Sequence, residues 1–439
     1  MIFNIFKNTV LLSLLVLISC GNFSKNDVNQ YQKKNQKKEL IVGANQIGAY
    51  LPLLHGKRIG IVANQSSVIF KKATDSIFEE YPNGDISFSH IHKNNTLQTH
   101  IVDSLKSLNI NIVTVFAPEH GFRGTADAGE KIKDGLDEKT GIPIISLYSA
   151  NKKPKLEQLK ETKKYESDVN EGVSQIDVMV FDLQDVGARF YTYISTLHYV
   201  MEACAEANIP LLILDRPNPN GHYIDGPVLE LEHNSFVGMH PIPIVHGMTI
   251  GEYAKMINGE KWLKNGIQCN LSIIPIKYYT HQTPYSLPIK PSPNLPNDTA
   301  INLYPSLCFF EGTNVSAGRG TNKQFQVFGS PFLNDTDFDF EFKPEANEGA
   351  KYPKHQNKIC FGKDLTNHQK LTSLNLSWLI DAYQKTNNKA EFFNAFFVIS
   401  FNNLVHLEFV NKILYSKQNK ITCFVIAIRK KRNIHEHLF

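Results

Sequence analysis

The sequence has little of what several protein classes depend on. Its 439 residues carry a formal net charge of only +4, with no basic stripe interleaved with aromatic residues, which argues against a nucleic-acid partner. The six cysteines are scattered and form no CxxC pair, so the sequence predicts neither a disulfide framework nor a metal site. With 42% hydrophobic residues, a chain of this length can bury a sizeable core and is long enough for two domains.

Several catalytic motifs are also missing. The chain has no HExxH, no phosphate-binding loop and no GxSxG nucleophile elbow. The nearest match to GxGxxG, at residues 312–320, follows no clear strand, so we predict no dinucleotide. A match to SxxK at residues 149–152 is short enough to arise by chance. Carboxylates, arginines and tyrosines remain as the groups available for chemistry.

The amino terminus contains a short apolar run from Val10 to Ile18. The run is too short to span a bilayer and is typical of a secretory signal peptide. It leads into residues 17–20, which resemble a bacterial lipobox, in which the cysteine becomes the lipidated first residue. We therefore predict a signal peptide over residues 1–19, lipidation at Cys20 and a polar tether over residues 20–38. Cleavage beside a chance cysteine is the alternative.

These features predict a location in the cell envelope. The lipid anchor would hold the protein on a membrane, on the periplasmic side or at the cell surface. The sequence leaves open which membrane and which face that is.

Strand and helix patterns alternate from residue 39 onward. Helical spacing of apolar residues appears at 100–110 and 193–208, between apolar runs at 57–65, 111–118, 142–148, 176–183 and 209–214. Nearly continuous apolar strands that alternate with helices predict a parallel sheet covered on both faces. The fold class expected for residues 39–225 is therefore a doubly wound α/β domain.

The pattern changes after residue 225. A helix is predicted within 246–263, with Thr249 and Glu252 as a capping box, and a strand within 269–279. Residues 289–321 are rich in proline, glycine and asparagine and predict long loops. We assign residues 226–439 to a second domain that also carries long loops suited to a function. Roughly its last 40 residues are atypical, through divergence or a reading-frame shift.

Three of the predicted strands end in clusters of polar residues. Because the carboxyl ends of parallel strands meet at one edge of an open sheet, where ligands bind, these clusters should feed a shared cleft. The candidates are Glu119, His120 and Arg123 after the first strand, Asp182, Gln184, Asp185 and Arg189 after the second, and Asp215, Arg216 and Asn218 after the third. For Asp215 in particular, capping of the following helix is an alternative to a role in the site.

Glycoside hydrolysis requires a set of this kind. One carboxyl protonates the leaving oxygen, and a second group acts as nucleophile or activates water. Arginines are suited to an anionic substrate group, and tyrosines to stacking on a sugar. The same residue types also suit a lyase, a deacetylase or a sugar-binding module, so these classes stay open on residue chemistry alone.

Longer motifs narrow the choice. They occur in a fixed order: FAPEHGFRG (116–124), DLQDVGARFYTYISTLHYVMEA (182–203), LDRPNPNG (214–221), PSPNLP (291–296) and YPSLCFFEGTNVSAGRGT (304–321). Over roughly residues 40–335 the chain thus resembles the exo-acting β-N-acetylmuramidase family. The resemblance implies a Rossmann-like domain joined to a smaller C-terminal α/β domain, with a cleft between them that loops of the second domain close. It also implies a cofactor-free glycosidase that releases N-acetylmuramic acid from the non-reducing ends of peptidoglycan fragments.

The resemblance also implies roles for individual residues. Glu119 is implied as the general acid, with Asp185 as its candidate partner base and His120 beside it to position or polarise. Arg189 or Arg319 is implied to bind the lactyl carboxylate that distinguishes muramic acid from glucosamine. The other implied substrate contacts are Arg123, Asp182, Gln184, Tyr191, Tyr193, Asp215, Arg216, Asn218, His246, Glu311, Asn314 and Thr321.

Two points stay open at the level of sequence. A retaining or inverting mechanism depends on the separation of the two carboxylates in space. The alternative function is a non-catalytic lipoprotein that binds muropeptides or glycans on the same fold. A protein that only binds has no need of the paired carboxylates Glu119 and Asp185.

Overall fold

The computed structural model describes residues 39–80, 86–124, 130, 133–148, 152–160 and 175–393, and of residues 71–97 only the backbone. The predicted signal peptide, Cys20 with its tether, and the atypical carboxyl-terminal residues all lie outside these ranges. The helices are α1 Ile47–Leu54, α2 Ile101–Ser107, α3 Leu156–Lys160, α4 Tyr193–Ala207, α5 Ile250–Gly259, α6 Asp298–Leu307 and α7 Ser377–Lys385. No helix in this part of the chain is long and apolar enough to cross a membrane.

The central feature is a seven-stranded sheet with the order β5-β6-β4-β1-β7-β8-β9. Its strands are β1 Arg58–Ala63, β4 Asn111–Ala117, β5 Gly135–Leu136, β6 Pro143–Ser146, β7 Val178–Asp182, β8 Leu211–Leu214 and β9 Leu271–Ile274. Every neighbouring pair is parallel except β5 and β6. The chain builds outward from β1 in both directions, which confirms the predicted doubly wound α/β fold.

Burial explains why these strands read as apolar runs. All four residues of β8 and the last four of β7 are buried, because helices cover the sheet. On α4 the predicted apolar face is confirmed, since Ile194, Leu197 and Val200 are almost completely buried. The capping box predicted at the start of α5 is also confirmed. The Thr249 hydroxyl accepts from the Glu252 amide, and the Glu252 carboxylate accepts from the Thr249 amide.

A long hairpin interrupts the α/β pattern directly after β1. Its strands, β2 Val68–Glu80 and β3 Ile86–His100, pair antiparallel with each other. Helix α2 follows β3 directly. No strand of the seven-stranded sheet pairs with this hairpin, and the sequence analysis did not predict it.

A second, smaller sheet lies in the carboxyl-terminal part of the chain. It has three antiparallel strands in the order β10-β12-β11, with β10 Val327–Ser330, β11 Phe340–Phe342 and β12 Cys360–Asp364. Here Gly362 approaches Phe328 so closely that an added Cβ would lie 1.7 Å from the Phe328 carbonyl oxygen, so only glycine fits. This region matches the predicted smaller C-terminal domain in class.

The first sheet includes residues beyond 225. Strand β9 pairs parallel with β8, and helix α5 packs against both strands. The sheet thus takes in chain on both sides of the predicted boundary, and the division at residue 225 stays a prediction.

Candidate active site

The carboxyl edge of the sheet, where the order reverses between β1 and β7, brings three loops together. Asn64 and Ser66 follow β1, Glu119 follows β4, and Asp185 follows β7. Open α/β sheets bind ligands at this position. The sequence analysis selected the residues after β4 and β7 but not those after β1. The available signal was that the apolar run at 57–65 also ends in polar residues.

Asn64 and its neighbours join the loop after β1 to the end of β7 and to the first residue of α4. Its Nδ2 donates to the Tyr193 hydroxyl at 2.7 Å, and its Oδ1 accepts from the Ser66 hydroxyl at 2.6 Å. The Gln184 amide donates to the Ser66 hydroxyl at 3.2 Å, and the Ser67 hydroxyl donates to the Asp182 carbonyl. Every one of these groups is buried, so the network fixes the base of the cleft.

Glu119 lies half-buried at the end of β4, immediately before a left-handed turn. His120 has φ +71° and Gly121 φ +77°, so the chain leaves the strand sharply and the Glu119 carboxylate stays at the sheet edge. The Thr192 hydroxyl donates to Glu119 Oε2 at 2.5 Å. The Tyr148 hydroxyl also donates to this carboxylate, and burial together with the Glu119 charge raises the pKa of Tyr148. Glu119 is thus oriented by two hydroxyl donors.

Tyr191 and Tyr193 lie beneath the loop that carries PSPNLP. Their rings meet edge to face at 4.8 Å, and both hydroxyls donate to the Pro291 carbonyl, at 2.9 and 3.3 Å. Gln65 Nε2 donates to the same carbonyl at 2.9 Å. Both tyrosines are nearly completely buried, and burial raises the pKa of each. In this structure they hold the loop over the site, and their contact with a sugar stays a prediction.

Asp185 and His246 form a second buried group at the same edge. Asp185 Oδ2 accepts from the Gly187 amide at 2.7 Å and lies 3.4 Å from His246 Nε2. The Met248 amide donates to His246 Nδ1, which places the proton of a neutral imidazole on Nε2. Within the described part of the chain, Asp185 Oδ1 and His246 Nε2 have no hydrogen-bond partner. Buried polar atoms without partners are costly, which favours a role with substrate or water.

The side chains of Asp215 and Asn218, which follow β8, form hydrogen bonds with other residues of the protein. Asp215 accepts from the Thr249 hydroxyl and the Gly251 amide, which are the contacts of the helix-capping alternative. Asn218 donates to the Met248 carbonyl, and Gln184 Nε2 ties the loops after β7 and β8 through the Pro217 carbonyl.

The buried Asp215 carboxyl group should make the stability of the folded protein depend on pH. Burial raises the pKa of Asp215 to about 6, above its ordinary value of 3.8, despite these donors. The folded state therefore keeps a proton that the unfolded state releases. This contribution to stability is complete below about pH 4 and is lost as the pH rises to about 6. Asp215→Asn should flatten the pH dependence of the unfolding midpoint in this window. The same change at exposed Asp335 is the control, and equal slopes for Asp215→Asn and wild type would contradict the assignment.

Asp182 and Arg216 pair with each other below the cleft. Arg216 Nε and Nη2 donate to the two Asp182 oxygens at 2.6 and 2.9 Å, and Nη2 also donates to the Val68 carbonyl. Both side chains are buried. Burial opposes the guanidinium charge, but the Asp182 carboxylate outweighs it and holds the pKa of Arg216 above its ordinary value. The geometry is that of a structural ion pair joining β7 to the loop after β8.

The other arginines differ in their access to solvent. Arg189 is 1% exposed and donates to the carbonyls of Pro227 and Ile242, and burial lowers its pKa to about 10. Arg123 forms a bidentate pair with Asp137. The Arg319 side chain keeps 24% of its surface exposed and lies 3.5 Å from Glu311 Oε2. Of the two arginines predicted to bind the lactyl carboxylate, Arg319 is thus the accessible one.

The loop at 310–321 carries the remaining candidates. Neither Asn314 Oδ1 nor Nδ2 has a hydrogen-bond partner among the described residues, whereas the Thr321 hydroxyl donates to the Gly318 carbonyl within its own turn. Lys354 shapes this loop by donating to the carbonyls of Phe310 and Val315 at 2.9 and 3.0 Å. The sequence analysis did not select Lys354, and no local pattern marks it.

One cavity of about 470 Å³ lies elsewhere. It is lined by residues of the 219–220, 284–286, 298–303 and 368–370 segments. None of the predicted site residues lines this cavity, so we do not assign it to the site.

Comparisons with known proteins find similarity over most of the chain. The models of the N-terminal and C-terminal parts of the exo-β-N-acetylmuramidase NamZ family match residues 89–299 and 302–422. The second match thus extends into the carboxyl-terminal residues that the sequence analysis found atypical. A curated relative, the peptidoglycan β-N-acetylmuramidase NamZ of Bacillus subtilis (strain 168), is 36% identical over 362 residues, which are 79% of this chain and 77% of that protein.

Two crystal structures of DUF1343 family proteins from Bacteroides fragilis NCTC 9343 have similar folds. The first is 41% identical with a TM-score of 0.71 and covers 91% of this chain and 96% of its own. The second is 25% identical with a TM-score of 0.66 and covers 87% and 92%. The matches of sequence and fold agree, and this chain belongs to the exo-β-N-acetylmuramidase NamZ family.

Proposed function

We propose that this protein is a glycoside hydrolase that releases N-acetylmuramic acid from the non-reducing ends of peptidoglycan fragments. The observation that carries the proposal is the Glu119 carboxylate, which two hydroxyl donors orient at the carboxyl edge of the sheet. Membership of the exo-β-N-acetylmuramidase family supports this activity. The non-catalytic alternative is not favoured.

In the proposed reaction Glu119 acts as the general acid. Its protonated carboxyl gives a proton to the glycosidic oxygen as the bond to the anomeric carbon breaks. Thr192 and Tyr148 hold the carboxyl in one orientation. The Glu119 side chain therefore does not have to change rotamer before it donates the proton. Asp185 is proposed as the second carboxylate, because Oδ1 has no partner among the described residues. It either takes a proton from the water that adds to the anomeric carbon, or attacks that carbon first and is then displaced by water, so that a new bond to oxygen replaces the broken glycosidic bond.

The experiment offers the purified protein a chromogenic β-N-acetylmuraminide, the matching β-N-acetylglucosaminide, and glycan fragments that begin with N-acetylmuramic acid. We expect colour from the muraminide alone and free N-acetylmuramic acid from the fragments. Longer saccharides as first products would indicate cleavage within the chain. Folded protein without activity on any substrate would leave the binding alternative.

We propose further that the protein is lipid-anchored in the cell envelope through Cys20. The proposal rests on the short apolar run before Cys20 and the polar segment after it, which suit lipid attachment and a tether. Cys20→Ser should leave the precursor uncleaved, or move the protein to the soluble fraction if another peptidase cuts nearby. Mass spectrometry of the mature amino terminus decides, and an unmodified terminus downstream of residue 20 would refute the anchor. Activity of the soluble part should be unchanged.

A further inference from the structure

Lys152 lies beside the proposed general acid, on the faces of two aromatic rings. Its Nζ is 3.9 Å from the centroid of the Tyr148 ring and 4.0 Å from that of Phe236. The Phe236 ring in turn stacks on Tyr199, with centroids 6.1 Å apart and planes 11° from parallel. Tyr148 is the same residue whose hydroxyl donates to Glu119. A cation and the proposed acid are thus joined through one tyrosine ring.

Lys152 has no carboxylate within ion-pair distance among the described residues, unlike the lysine next to it in the sequence. The adjacent Lys153 contacts Glu202 and Glu206, both at 2.7 Å. Burial lowers the pKa of Lys152, and the more distant Glu119 charge opposes that effect. A half-buried ammonium that lies beyond ion-pair distance of every described carboxylate is costly, and a bound anion would offset that cost.

The substrate of the proposed function supplies one such anion. N-acetylmuramic acid differs from N-acetylglucosamine by a lactyl ether on C3, and the lactyl carboxylate is the charge of the sugar. Because C3 and the anomeric carbon belong to the same pyranose ring, this carboxylate must lie within one sugar ring of the acid that protonates the glycosidic oxygen. Lys152 Nζ lies 3.9 Å from the centroid of the Tyr148 ring, and the hydroxyl of that ring donates to Glu119, so one aromatic ring separates the ammonium from the acid.

We propose that Lys152 binds the lactyl carboxylate of the terminal N-acetylmuramic acid, with Tyr148 and Phe236 holding the ammonium in place. The inference rests on the proposed function and adds a specificity residue to it. It also accounts for the SxxK match at 149–152 through a binding lysine, without a serine nucleophile.

The test compares the chromogenic muraminide as free acid with its lactyl methyl ester, which keeps the shape and removes the charge. Wild-type protein should prefer the acid in kcat/KM by about 10- to 100-fold, the worth of a hydrogen bond between charged groups. Lys152→Met should lose that preference, mainly through a higher KM for the acid. Lys152→Arg should keep most of it.

Lys153→Met is the matched control, because it removes the neighbouring lysine, whose partners are glutamates. It should leave the ratio of acid to ester unchanged. Equal activity of the wild type on acid and ester would overturn the inference without reference to any variant. So would loss of the preference in Arg319→Met but not in Lys152→Met. Failure of the wild type on every muraminide would instead overturn the proposed function.

Discussion

Replacement of Glu119 by glutamine is expected to lower kcat by roughly 10²- to 10⁴-fold, the usual worth of general acid catalysis. Glutamine keeps the shape and can still accept from the Thr192 hydroxyl, but it has no proton to give to the glycosidic oxygen. The midpoint of thermal unfolding should stay almost unchanged, because the side chain is only half-buried. Steady-state kinetics on the chromogenic muraminide measures the effect.

Two further variants test whether the loss of kcat is specific to Glu119. Glu206→Gln makes the same chemical change on α4, at a side chain with 40% of its surface exposed, and should leave kcat unchanged. Asp185→Asn tests the proposed second carboxylate. If Glu119→Gln keeps activity within about threefold of the wild type while Asp185→Asn loses it, the acid role belongs to Asp185.

Removal of the Arg216 guanidinium is expected to cost about 3–5 kcal/mol of unfolding free energy. In Arg216→Met the Asp182 carboxyl group, with a relative exposure of 0%, is left without its partner. Replacement of both residues, Arg216→Met with Asp182→Leu, should recover much of the loss because no buried charge is left. Urea unfolding at neutral pH measures the three variants.

The surface pair of Arg58 and Asp177 is the control for this prediction. It has similar bidentate geometry, but its side chains are 37% and 30% exposed, so Arg58→Met should cost much less. Equal losses in the two single variants would contradict the role of the buried pair. The comparison also tests the predicted substrate contact of Arg216. A structural residue should lose activity in proportion to folded protein, whereas a substrate contact should raise KM in protein that remains folded.

Local sequence patterns were sufficient to predict most of the secondary structure of the first domain. The apolar runs, the buried face of α4 and the capping box at Thr249 depend on residues within a few positions of each other, so the sequence predicts them directly. The long hairpin between β1 and α2 was missed, although Asn83 and Gly84 between its strands form a dipeptide that favours hairpin turns. Here an existing local signal was overlooked within a pattern that alternated strand and helix.

The sequence also predicted correctly that these loops lie at one edge of the sheet, because the carboxyl ends of parallel strands must meet there. It could not decide which polar residue in each loop faces the cleft. Asp182 and Asp185 are three positions apart, yet one pairs with Arg216 and the other keeps an oxygen without a partner in the described chain. That difference depends on which partner the folded chain places beside each carboxylate, and Arg216 lies beside Asp182.

Sequence alone thus determined the α/β class, the family resemblance and the position of Glu119 at the end of a buried strand, because each is written in contiguous residues. Tertiary structure decided how the polar groups are used. Asn64 reaches Tyr193 across 129 positions, and Lys152 meets Phe236 only through the fold. The free energy of a buried charge or hydrogen bond depends on its partner and its solvent exposure, and both are properties of the packed chain.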